Sequence, residues 1–227
     1  MKKISLKPCE GNRFQFIGMD FTKFLDENFA KQRAGKLEEA MDDRCNIATQ
    51  LADCLLEDCS LELDSSDPNS RSAAEIMYIS ALDLYMNESW VLSAALLETI
   101  QEIDGEYYYN LPAILALCYI LVEDEDCLDS IISDIEAKGA MNLFALAAID
   151  FTKDGTISKD IAKELKKIPE FIECLNGDNK LWENYTEDSK YEAENVLTAA
   201  LAQPILKALK GLKKAFLQLN NFHNGQI

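Results

Sequence analysis

Met77-Tyr78-Ile79-Ser80-Ala81-Leu82-Asp83-Leu84, followed after a short break by Trp90-Val91-Leu92-Ser93-Ala94-Ala95-Leu96-Leu97-Glu98-Thr99-Ile100, is the text that decides the fold. Ala81 sits between Met77 and Leu84, and Trp90, Ser93, Leu97 and Ile100 follow at helical spacing. Two helices pack closely where one offers a small residue and the other a large one. The break at Met86-Asn87-Glu88 is short enough to force the two helices antiparallel. A shift of 35 residues puts Ala116 in the place of Ala81, with Tyr119, Leu128, Ile132 and Ile135 behind it. A further 31 residues reaches Ala147, with a weaker match. Units of this length are the period of stacked helical hairpins.

Outward from this centre the same periodicity continues. Phe21, Phe24, Leu25 and Phe29 mark a helix from Asp20 to about Ala34, and Gly35 breaks it. Leu37, Met41, Ile47, Leu51 and Leu55 form the apolar stripe of a longer helix from Lys36 to Cys59. Residues 63–70 are dense in turn formers, and Asp67-Pro68 suits a helix cap followed by a first-turn proline. Further helices are expected at 69–86, 89–103, 111–122, 125–138, 140–152, 158–167 and 169–175. Ser189-Lys190-Tyr191-Glu192 reads as a capping box opening a helix to about Gln203. Pro204 is expected to kink or end that helix, with a last one from Ile205 to about Leu219. The only strand-like text is Phe14-Gln15-Phe16-Ile17, in an N-terminal arm. The expected organisation is an arm and helices over 1–62 and a helical repeat domain over 63–227, or one continuous domain.

The order of sizes in Met77–Ile100 resembles a tetratricopeptide repeat: a small residue in the middle of the first helix, an aromatic at the turn, then small and large apolar residues on the second. The likeness covers 70–168, without the usual glycine beside the small position and without a closing proline after Ile103. Residues 106–216 are similar to the tetratricopeptide-like family of the eukaryotic suppression-of-tumorigenicity-seven protein and its uncharacterised bacterial relatives. Ile168-Pro169-Glu170-Phe171-Ile172 stands at that family's valine-proline-x-tyrosine-leucine signature. Glu192-Ala193 stands at its helix start and Ala208-Leu209-Lys210-Gly211-Leu212 at its closing helix, while Tyr107-Tyr108-Tyr109-Asn110 replaces its usual asparagine and arginine. These resemblances imply an all-α fold, a right-handed α-solenoid of antiparallel helix pairs, and the role of a scaffold.

Composition agrees with helices. Hydrophobic residues make up 48% of the 227, and nine Gly and five Pro are too few for an all-β chain. With 40 acidic against 22 basic residues the net charge is −18, which repels phosphate backbones and anionic membranes and suits a basic protein partner. No run of roughly 18 apolar residues occurs. The N-terminus lacks the apolar stretch of a secretory signal, and the expected location is cytoplasmic.

Chemistry-bearing patterns are sparse. Cys9, Cys45, Cys54, Cys59, Cys118, Cys127 and Cys174 lack the paired spacing of a zinc site and read as reduced thiols, and His223 stands alone in the tail. Asp150, Thr152, Asp154, Gly155 and Ile157 fall at calcium-loop positions, but Ile161 stands where the bidentate glutamate belongs, so an ordinary Asp-Gly turn is expected. Glu123-Asp124-Glu125-Asp126 reads as an acidic helix start. Lys207, Lys210, Lys213 and Lys214, opposite Ile205, Leu209, Leu212 and Phe216, make a basic amphipathic helix, expected to dock on the last repeat rather than on a membrane. Tyr107, Tyr108 and Tyr109 cannot all face one core, which makes them the candidate partner-binding residues. No catalytic residue, cofactor site or metal site is assigned.

The expected function is a cytoplasmic interaction scaffold or adaptor that binds another protein through an acidic helical-repeat surface. The alternatives are a chaperone or immunity protein that masks a basic secreted or toxic partner, and an enzyme using the cysteines or carboxylates.

Overall fold

The fold, a computed structural model, is described for residues 19–56, 67–104, 110–168, 171, 175 and 194–221. Among them every regular element is helical and no strand occurs. The strand-like arm, the Ser189–Glu192 box and the Tyr107–Tyr109 run lie outside the described residues. The chain divides into two compact units between Leu111 and Pro112.

The first unit contains α1 (Phe21–Arg33), α2 (Leu37–Leu56), α3 (Pro68–Met86) and α4 (Trp90–Asp104). Asp20 caps α1 by accepting from Lys23 N at 2.9 Å, and Asp67 caps α3 by accepting from Ser70 N, with Pro68 in the first turn. Asn69, next along, ties the two helix starts together: its Oδ1 accepts from Phe21 N at 2.7 Å and its Nδ2 donates to Met19 O. Helix α3 is the centre of this unit, packed against α1, α2 and α4 and buried on all sides from Ala73 to Asp83.

A helix buried all round must satisfy whatever polar groups it carries. Asp83, fully buried on α3, takes two bonds on Oδ2 from Arg44 of α2, from Nε at 3.1 Å and from Nη2 at 2.8 Å. The Arg44 Nη1 donates to Asn28 Oδ1 at 2.7 Å and to Gln32 Oε1 at 3.0 Å, both on α1. Asn28 Nδ2 in turn donates to the Ala40 carbonyl of α2. One guanidinium thus joins three helices, with Arg44 only 1% exposed.

The turns between helices repeat in detail. Lys36 N donates to Lys31 O and Gly35 N to Gln32 O; Ser89 N donates to Leu84 O and Glu88 N to Tyr85 O; Asp124 N donates to Tyr119 O and Glu123 N to Ile120 O. This six-to-one and five-to-two pair of bonds is the Schellman ending of a helix, and its left-handed residue has φ 81° at Gly35, 61° at Glu88 and 58° at Glu123. The next helix then starts with the same bond each time: Ala40 N to Lys36 O, Ser93 N to Ser89 O, Leu128 N to Asp124 O. In the first two hairpins a side chain also crosses over a separation of 12 residues, from Asn28 to Ala40 O and from Ser93 Oγ to Ala81 O. The corresponding pair in the third, Ala116 and Leu128, is buried without such a bond. The Ala147 region departs from this register. There α7 ends on Gly155 with a single bond from its N–H to Phe151 O, and three residues intervene before α8.

The second unit contains most of α5 (Leu111–Val122), α6 (Glu125–Ile131) with a 3-10 turn at Ile132–Asp134, α7 (Ala140–Asp154), α8 (Lys159–Leu165), α9 (Glu194–Ala208) and α10 (Leu212–Asn221). Leu111-Pro-Ala-Ile-Leu-Ala-Leu-Cys-Tyr-Ile120 carries no charge, and α5 is buried around its whole circumference. The helix expected over 125–138 stops at Asp134. The last turn there tightens to 3-10, and Ile135 is extended and buried. Helix α7 packs on α8 and α9, and Phe144 stacks on Phe216 at 5.5 Å while Phe171 meets both rings edge-on.

Pro204 neither ends α9 nor starts a new helix; α9 runs through it to Ala208. Proline cannot donate to the Ala200 carbonyl, a loss of one bond that the buried Ala199–Ala202 and Ile205 positions outweigh. The break comes instead at Gly211, with φ 103°, inside the segment expected to be the closing helix. An added Cβ there would stand 3.3 Å from the Phe151 ring.

Two outcomes follow from these interactions. Removing one partner of the buried pair, as in Arg44→Met or Asp83→Leu, costs about 3–5 kcal/mol in chemical denaturation, and the double variant recovers much of that loss. Glu123→Gly raises stability by roughly 0.5–1 kcal/mol by relieving the left-handed backbone, whereas Gly35→Ala lowers it by about 1 kcal/mol.

Candidate interaction surface

The inward face of α4 is set by Ser93, Ala94, Leu96, Leu97 and Ile100, which are buried against the rest of the first unit. Helical geometry then directs Val91, Leu92, Ala95, Glu98 and Glu102 outward, and all five are exposed. Val91 is 67% exposed and Leu92 59%; among the described residues the only other large apolar side chain noted as exposed is Leu217, at 40%. Trp90 is half-buried, and its Nε1–H is buried with no acceptor among the described residues. Three large apolar side chains therefore succeed one another at the start of a helix whose outer face becomes acidic about two turns later. Between Arg71 and Lys138 the sequence contains no Lys, Arg or His and fourteen Asp or Glu residues. An excess of carboxylates, like the chain's net charge of −18, attracts positive groups and raises their rate of encounter.

Tyr107, Tyr108 and Tyr109 lie outside the described residues, so the surface is built from α4 alone. The Val91-Leu92 pair was missed in the sequence because both residues fall inside an apolar run that reads as core. The signal was their phase: they stand one and two positions ahead of Ser93, off the line of Ser93, Leu97 and Ile100.

Other candidate residues are drawn into the framework. Asp124 caps α6 by accepting from Cys127 N at 3.0 Å, with Glu125 and Asp126 in the first turn. Asp150, Thr152 and Asp154 are part of α7, so they do not form a calcium loop. Asp150 Oδ2 accepts from Ser158 N, and Thr152 Oγ1 donates to Ala148 O. No group of three or more His, Cys, Asp or Glu among the described residues is placed to hold a metal ion. On the last two helices and the turn between them Ile205, Leu212 and Phe216 are buried, with Lys207, Lys210, Lys213 and Lys214 exposed. No described helix is long and apolar enough to cross a membrane.

Among the cysteines, Cys45 is half-buried beside the Arg44–Asp83 pair. Burial, and then the Asp83 charge, push its thiol from 9.0 up to about 11, against the weaker opposing pull of Arg44 and Ser80. A nucleophilic cysteine needs the opposite shift. Because the native thiol holds its proton to higher pH than the unfolded one, it contributes stability below about pH 9 that is lost between pH 9 and about 11. Cys45→Ala is expected to flatten the fall in stability across that window, read as denaturation midpoints against pH. Compared with family models, with curated proteins and with solved structures, the chain matches none of them.

Proposed function

We propose that this protein is an interaction scaffold: a right-handed, tetratricopeptide-like stack of antiparallel helix pairs that binds a basic protein partner through its acidic surface. The observation that carries the reading is the turn shared by Gly35, Glu88 and Glu123, which closes three helix pairs with the same backbone bonds. A hairpin repeated in one register stacks its neighbours in one sense and leaves a row of outer faces for binding, as helical-repeat proteins do. The charge of −18 and the cation-free stretch 72–137 supply the preference for a basic partner.

Affinity capture from native lysate, read by mass spectrometry, is expected to recover a basic protein whose retention falls steeply as salt rises from about 50 to 500 mM, a range over which the screening length shrinks from roughly 14 to 4 Å. Recovery of no specific partner, or of one indifferent to salt, overturns the reading.

A further inference from the structure

We draw no further inference here: the strongest candidate, the apolar surface patch that Val91 and Leu92 form beside Trp90 at the start of α4, carries nothing because nothing in the structure shows what covers it.

Discussion

The Arg44 guanidinium is a full charge removed almost entirely from water, and three helices of the first unit are arranged around it. An isolated ion so placed would cost many kcal/mol, so its position is tolerated only while Asp83, Asn28 and Gln32 all hold station. The demand runs both ways. Asp83 is buried because α3 is enclosed on every side, and the guanidinium bound to it comes from α2, 39 residues earlier. Apolar packing alone would allow α1 and α2 to slide along α3 by a turn. The fork of Arg44 does not, because Nε and Nη2 are held on Asp83 Oδ2 while Nη1 is held by Asn28 and Gln32, and a slide would break both sides of the fork.

Around this fixed point the hairpin turn does the repetitive part of the folding. Its bonds are all backbone to backbone, so it depends on the chain's ability to adopt one left-handed residue and little else. Gly35 meets that requirement freely, whereas Glu88 and Glu123 meet it under strain that the packed helices on either side must offset. The exposed ion pairs, such as Lys31 with Glu39 and Asp43, sit over this framework and add little to it.

Helices were largely legible because their signal is local. The apolar period, Asp67-Pro68 and Gly35 place boundaries close to the observed ones. Ala81 and Ala116 mark corresponding positions in two hairpins, but Asn28, which holds the same place in the first, disguised that hairpin with a polar side chain. The Arg44–Asp83 pair was not legible, since nothing local distinguishes a buried aspartate from a solvated one when its partner lies on another helix. A hint was present in Ile79–Met86, where Asp83 is the sole charge in an apolar run. Pro204 misled because a helix held by tertiary burial survives the loss of one bond, and Gly211 was the stronger break. At the candidate surface the acidic character was plain from composition. The exposure of Val91 and Leu92 depended on which face of α4 the rest of the unit covers, which is a tertiary fact.

The spacing of the three turns carries a consequence for how such a chain can grow. Glu88 and Glu123 are 35 residues apart, while Gly35 and Glu88 are 53 apart, yet the backbone bonds of each bend are the same. Extra length has thus been admitted away from the bends, in a longer α2 and at the junction before Asp67, and excluded from the bends themselves. Insertions and deletions in descendants of this sequence should collect at those junctions, leaving each tight bend at its fixed length.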